Sequence, residues 1–141
     1  MIICATRGGE GSRAAQMAAI KQAGEMDLPL TFLFVIDPSS LNGMDESLET
    51  AVSRELSWMG QTLLQIAKRR AQETGLEAEC TLQHGKVRDE ISRYIQENQA
   101  SKLILGAPRG ATANVFGDDA IEKFATAIAS ETNITVQVIH P

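Results

Sequence analysis

Short apolar runs alternate along the chain with longer segments whose apolar residues recur every three or four positions. The runs are typical of strands buried on both faces, and the longer segments of amphipathic helices. The predicted strands are Met1–Ala5, Leu30–Ile36, Ala78–Gln83, Lys102–Leu105 and Thr135–His140. The predicted helices are Ala14–Ala23, Leu48–Thr74, Val87–Asn98 and Ala120–Thr132. Because each crossover must return the chain to the same end of the sheet, this alternation predicts one α/β domain over residues 1–141, with a parallel sheet and helices on both faces.

The second helix is unusually long, and a polar stretch from Ser39 to Glu46, predicted as a loop, precedes it. Its apolar positions step by three and four, which predicts one amphipathic helix: Leu48, Val52, Leu56, Met59, Leu63, Ile66 and Ala71. The length indicates that the part near Leu48 to Trp58 projects from the domain or packs against a partner.

Composition narrows the class of protein. A formal charge of −5 and scattered basic residues argue against a nucleic-acid partner, since phosphate binding needs clustered lysine and arginine. No apolar run approaches the roughly 20 residues that cross a bilayer. Cys4 and Cys80 lack CxxC spacing, so we expect buried free thiols in a reducing compartment; a disulfide between neighbouring strands is the alternative. We therefore expect this chain to be a soluble, cytoplasmic protein that does not bind a membrane.

Three loops should lie at the carboxyl ends of the strands, where open parallel sheets bind ligands: Thr6–Ser12, Asp37–Ser40 and Gly106–Asp119. Two of them are glycine-rich and open helices, so backbone N–H groups could approach an anion closely. A phosphate-bearing ligand is one interpretation. Glycines that serve only to make tight turns are the other.

Four segments resemble the universal stress protein family in their order and spacing: ATRGGEGSRAA (Ala5–Ala15), FLFVIDP (Phe32–Pro38), HGKVRDEI (His84–Ile91) and SKLILGAPRG (Ser101–Gly110). The resemblance covers nearly the whole chain. It implies a three-layer α/β fold with a five-stranded parallel sheet in the order 3-2-1-4-5. It also implies homodimers formed through the edge strand Thr135 to His140, and, in a subset of members, ATP binding in the crevice.

The resemblance also implies a nucleotide site for ATP or AMP with Mg²⁺. Its candidate residues follow the first, second and fourth strands: Ala5, Thr6, Arg7, Val35, Ile36, Asp37, Leu105, Gly106, Arg109, Gly110, Gly117 and Asp118.

The first turn departs from the nucleotide-binding members of the family. Those members carry an aspartate that contacts the nucleoside end of the ligand, and this chain has Arg7 there. A carboxylate acceptor has become a cation with five donors, so the same contact cannot form.

The last loop departs as well. Binding members carry Gly-x-x-Gly, nine residues, and then glycine with a hydroxyl residue. Here Gly106 and Gly110 lie one residue further apart with Pro108 between them, and Gly117 comes early, followed by two aspartates, Asp118 and Asp119. Carboxylates at a helix N-terminus suit the helix dipole and would repel a triphosphate. We therefore expect a crevice that has diverged from the ATP-binding pattern.

Two hypotheses follow for this crevice. In one, Arg7 or Arg109 pairs with Asp118 or Asp119, so that the protein itself fills the anion site. In the other, the arginines hold a different small anion, such as a nucleoside monophosphate or a phosphorylated metabolite, with Mg²⁺ bridging Asp37 or Asp118.

No nucleophile is accompanied by a base. Ser12 and Ser40 have no evident histidine partner, because His84 lies at a predicted turn and His140 one residue from the end. We therefore predict a non-catalytic regulatory or binding protein of the stress response; a slow incidental ATPase is compatible with the resemblance. The alternatives are an adenine nucleotide sensor that uses altered contacts, and a ligand-free interaction module that regulates a transporter or kinase partner.

Overall fold

A computed structural model describes residues 1–7, 9–107 and 120–141. Its elements, in chain order, are β1 (Ile2–Ala5), α1 (Gly9–Met26), β2 (Leu30–Ile36), a short 3-10 helix (Pro38–Leu41), α2 (Glu46–Glu73), β3 (Glu79–His84), α3 (Val87–Asn98), β4 (Lys102–Gly106), α4 (Ala120–Thr132) and β5 (Thr135–Ile139).

The five strands form one sheet in the order β3-β2-β1-β4-β5, and every pair of neighbours is parallel. The predicted fold class and strand order are confirmed. β1 is central, with Ile2 opposite Leu30 of β2 and Lys102 of β4. The order of connection reverses between β1 and β4, so a crevice is expected beyond the carboxyl ends of these two strands.

The sheet separates two apolar cores, because successive strand residues point to opposite faces. Ile2, Cys4 and Phe32 pack on the face covered by α1 and α2. Ile3, Leu33 and Leu103 pack on the other face, covered by α3 and α4. The apolar runs of β1, β2 and β4 thus become strands that are buried on both sides, as predicted, whereas the edge strands β3 and β5 are only partly buried.

The face that α2 turns to the sheet only partly follows the predicted line of apolar residues. Leu56, Leu63 and Ala71 of that line pack on the core, whereas Leu48, Met59 and Ile66 are exposed. The buried residues of α2 are Gly60, Leu64, Ala67 and Ala71. A Cβ atom on Gly60 would lie 2.8 Å from side-chain atoms of Phe34 and Leu82, so the helix approaches the sheet closely at that residue. Residues 46–59 contain no buried side chain. No helix in the described part of the chain has both the length and the apolar character needed to cross a membrane.

Two predicted boundaries differ most from the structure, and the others differ by at most three residues. α1 begins at Gly9, inside the predicted loop Thr6–Ser12. The predicted loop after β2 contains the 3-10 helix, because Asp37 accepts a hydrogen bond from the Ser39 amide at 2.8 Å and Pro38 supplies a φ angle suited to a helix start.

The thiols differ in burial. Cys4 is buried, and its desolvation raises the pKa of the thiol to about 12. Cys80 is only partly buried, so the expectation of two buried thiols holds for Cys4 alone. Neither forms a disulfide.

The first turn of α2 depends on the Asp45 cap. The carboxylate accepts hydrogen bonds from the Leu48 amide (3.1 Å) and the Ser47 hydroxyl (2.8 Å), and these bonds lower the pKa of Asp45. A lowered folded-state pKa means that the cap stabilises the helix above the unfolded pKa, about 3.9, and is lost as the pH falls through the folded value. We expect Asp45→Ala to accelerate hydrogen exchange of the Leu48 amide at pH 6, which amide exchange measured by NMR or mass spectrometry can follow.

Asp45→Asn is the matched control, because asparagine retains a capping oxygen without a titratable group. It should keep the Leu48 amide protected at pH 6. It should not show the additional loss of protection that the wild type shows as the pH falls through the pKa of Asp45. Equal exchange in all three proteins would show that Asp45 does not hold this turn.

Candidate functional site

The first turn of α1 lies directly against the end of β4. A Cβ atom on Gly106 would lie 2.3 Å from the Gly11 carbonyl oxygen, and one on Gly11 would lie 2.0 Å from the Ala107 oxygen. Real Cβ atoms do not approach backbone so closely, so both positions require glycine. This contact brings the segments that follow β1 and β4 together at the carboxyl ends of these two central strands.

Hydrogen bonds fix the turn between β1 and α1. The Thr6 amide donates to the Leu33 carbonyl at 2.9 Å, which continues the pairing of β1 with β2 by one residue. The Arg7 amide donates to the Ser12 hydroxyl at 3.0 Å. The side chain of Arg7 is exposed above this turn, at the edge of the crevice.

A series of side-chain hydrogen bonds, buried at Thr6 and Gln16 and partly buried at Arg70, connects this turn to α2. The Gln16 amide nitrogen donates to the Thr6 hydroxyl, and the Gln16 amide oxygen accepts from Arg70 Nη1, both at 2.6 Å. Gln16 is buried, so each half of its amide needs such a partner. The hydrogen bonds from Arg70 to Gln16 and from Gln16 to Thr6 therefore link α2, α1 and the residue after β1.

A hollow of about 300 Å³ lies beyond the carboxyl ends of the central strands. Its floor is formed by strand residues, its walls by apolar side chains of α3 and α4, and its polar edge by the turn after β1. The floor residues are Ala5, Leu33, Val35, Leu105 and Gly106; the wall residues are Val87, Ile91, Ala120, Ile121 and Phe124; the edge residues are Thr6, Arg7 and Ser12. Such a slot suits a ligand with a flat apolar portion and a polar or anionic group at the edge.

Polar contacts hold the two wall helices together. Glu131 of α4 accepts hydrogen bonds from the Ser92 hydroxyl (2.9 Å) and from Arg88 Nε (3.4 Å), both on α3. His140, after β5, lies 3.2 Å from the Glu122 carboxylate in the first turn of α4. The Glu131 contacts thus join the two helices that enclose the hollow, and the His140 contact joins α4 to the end of β5.

The model of the universal stress protein family matches residues 1–140. The chain belongs to the universal stress protein family. The family predicted from the four sequence segments is confirmed over nearly the whole length.

Solved universal stress proteins share the fold. The chain is similar to universal stress protein UspA from Lactobacillus plantarum (17% identity, TM-score 0.78, covering 99% of this chain and 97% of that one). It is also similar to a protein of the family from Burkholderia pseudomallei (20% identity, TM-score 0.74, 98% and 94% covered). A third is an Arabidopsis thaliana family protein with AMP bound (14% identity, TM-score 0.68, 99% and 91% covered). No curated protein sequence matches the chain.

Eight residues of the predicted nucleotide site of this universal stress protein lie in the described part of the chain, and six of them line the hollow. The predicted residues that line the hollow are Ala5, Thr6, Arg7, Val35, Leu105 and Gly106. Ile36 is buried in the core under α1 and α2, because it points to the opposite face from Val35. Asp37 caps the 3-10 helix, and hydrogen bonds from the hydroxyl and amide of Ser39 lower its pKa. Arg109, Gly110, Gly117 and Asp118 lie outside the described residues, as do Pro108 and Asp119.

Sequence reasoning missed the walls of the hollow. Val87 and Ile91 lie four positions apart on α3, and Ile121 and Phe124 three apart on α4, so each pair falls on one helix face. That spacing predicts an inward apolar face. It does not distinguish a side chain packed in the core from one beside an open hollow.

Proposed function

We propose that this universal stress protein is a non-catalytic binding protein whose crevice holds an adenine nucleotide of monophosphate size. The hollow carries the proposal: it is about 300 Å³, apolar on its walls and polar at one edge. The base and sugar would lie between the walls of α3 and α4. The structural relative from Arabidopsis thaliana, which has AMP bound, supports the choice of ligand.

Arg7 gives the edge of the hollow a charge suited to phosphate. Its guanidinium offers donors in a planar fork, which matches a phosphate better than an adenine amino group. α1 begins two residues later, at Gly9, and a helix N-terminus favours anions. The altered first turn thus fits a phosphate held by Arg7 in place of the nucleoside contact made by an aspartate.

Isothermal titration with AMP, cyclic AMP, ATP and adenosine, each with and without Mg²⁺, tests the proposal. We expect saturable AMP binding in the wild type. Arg7→Gln should weaken AMP binding by about tenfold, since one charge-assisted contact to phosphate is lost, and should leave adenosine binding unchanged.

The matched control is Arg13→Gln, which removes an exposed arginine of α1 that does not line the hollow. It should change neither affinity. If none of the four ligands binds saturably to the wild type, the proposed function fails. Equal losses for AMP and adenosine in Arg7→Gln would remove the assigned role of Arg7.

We also propose that β5 is a dimer contact. It is the last strand in the sheet order, and an unpaired strand edge can pair with a second chain. Val138→Lys should lower the mass measured by sedimentation from dimer to monomer, because it adds a charge to the pairing edge. Val138→Thr, which keeps a β-branched shape, should remain dimeric, and a dimer unaffected by the lysine would point to another interface.

A further inference from the structure

Exposed large apolar side chains are concentrated on α2. Leu48 is 51% exposed, Trp58 65%, Met59 41% and Ile66 42%. Elsewhere in the described residues, the exposed large apolar side chains are the methionines Met17, Met26 and Met44. α2 packs on its own sheet through Gly60, Leu64, Ala67 and Ala71 and still exposes these large side chains, so it has an apolar surface left for a second contact.

Four exposed residues of α2 and the partly buried Thr62 lie on one line along the helix. Starting at Glu55, the line continues through Met59, Thr62, Ile66 and Arg69, with spacings of four, three, four and three residues. This 3.5-residue repeat is the pattern by which one helix packs along another. The Thr62 hydroxyl donates to the Trp58 carbonyl at 2.9 Å, so its polar group is satisfied within the helix.

The line is self-complementary about Thr62. Glu55 and Arg69 each lie seven residues from Thr62 and carry opposite charges, and Met59 and Ile66 lie between them. Two antiparallel copies of α2 related by a two-fold axis near Thr62 would set each Glu55 opposite the second copy's Arg69. Each Met59 would then lie near the second copy's Ile66. A parallel arrangement would instead place like charges together.

Both charges are available for such pairing. Glu55 and Arg69 are exposed, and neither takes part in an ion pair within the described part of the chain. α2 packs on β2 and β3, which lie on the opposite side of the sheet from the edge strand β5. A contact through α2 would therefore be separate from one through the β5 edge.

We propose that α2 is a homotypic contact surface, on which a second copy of this chain packs antiparallel through Glu55, Met59, Thr62, Ile66 and Arg69. The contact is isologous, because the same patch serves both copies. The two Met59–Ile66 pairs, one on each side of Thr62, supply the apolar centre, and the two ion pairs at the ends set direction and register.

Charge reversal with mixing tests the proposal. Glu55→Arg sets arginine against arginine at both ends of the pair, and Arg69→Glu sets glutamate against glutamate. Each variant alone should dissociate at least about tenfold more readily than the wild type, because the like charges face each other. An equimolar mixture should regain association, since both ends of the mixed pair then carry opposite charges. Sedimentation equilibrium over a concentration series measures all three samples.

Arg54→Glu makes the same charge change as Arg69→Glu at an exposed position of α2 outside the line, and should associate like the wild type. Trp58, the only tryptophan, is the neighbour of Met59 along α2. Its emission should shift to longer wavelength as the wild type is diluted, because separation of the two copies exposes the indole to water. If the wild type and both single variants have the same mass at every concentration, or if the mixture fails to regain association, the proposed contact is wrong. A loss of helix stability in either variant would not be reversed by mixing, so it cannot explain association that the mixture regains. That recovery also does not depend on a dimer formed through β5.

Discussion

Gly106→Ala is expected to lower the free energy of unfolding by about 3 kcal/mol and to reduce nucleotide binding at the same time. The added Cβ would lie 2.3 Å from the Gly11 carbonyl oxygen, and backbone cannot yield as a flexible side chain can. The first turn of α1 would have to move away from β4, and Arg7 and Ser12 would move with it. Thermal unfolding should show a fall in Tm of about 10 °C, and titration with AMP a weaker affinity.

Gly24→Ala is the control for this experiment. Gly24 lies within α1, and a Cβ there would meet nothing within 4 Å. Alanine in an open helical position should raise the free energy of unfolding by about 0.5 to 1 kcal/mol. If Gly106→Ala were as stable as the wild type, the two backbones could not lie as close as the structure places them.

Val87→Trp is expected to abolish nucleotide binding while the protein stays folded. Val87 is partly buried in the first turn of α3 and forms part of the wall of the hollow. An indole at this position would occupy space proposed for the adenine ring, and the open hollow can accept the added volume. We expect the affinity for AMP to fall by about a hundredfold or more, as steric exclusion costs far more than one lost contact. Titration with AMP, beside circular dichroism for folding, measures this.

Val87→Ala is the matched variant, because it enlarges the hollow at the same residue. Its affinity for AMP should remain within about fivefold of the wild type, since only a small apolar contact is lost. Full AMP binding by the folded tryptophan variant would place the ligand elsewhere.

The strands were predictable because their physical signal is local. Leu30–Ile36 is an unbroken apolar run and forms β2 with those bounds, since a strand buried on both faces must be apolar at every position. The sheet order followed from the family resemblance. The start of α1 was not predictable from its residues: GEGS is a poor helix former, and the turn is helical where Gly11 packs against the end of β4.

The candidate site was less predictable because it depends on tertiary packing. The line of apolar residues on α2 gave the helix correctly, but it did not include Gly60, Leu64 and Ala67, which are buried against the sheet. The small size of Gly60 allows the close approach there. In the same way, nothing in the sequence near Gln16 or near Arg70 shows that their side chains form a hydrogen bond across fifty-four positions. Arg7 was found because it replaces an expected aspartate, a difference visible in the sequence alone.

The division of the interior by the sheet has a practical consequence for handling the protein. The walls of the hollow belong to the core under α3 and α4, whereas α2 packs into the core on the other side. A fluorophore or a surface linker attached to the outward side of α2 would leave the mouth of the hollow uncovered. The molecule could therefore be immobilised through that helix on a biosensor chip while small ligands still enter from solution.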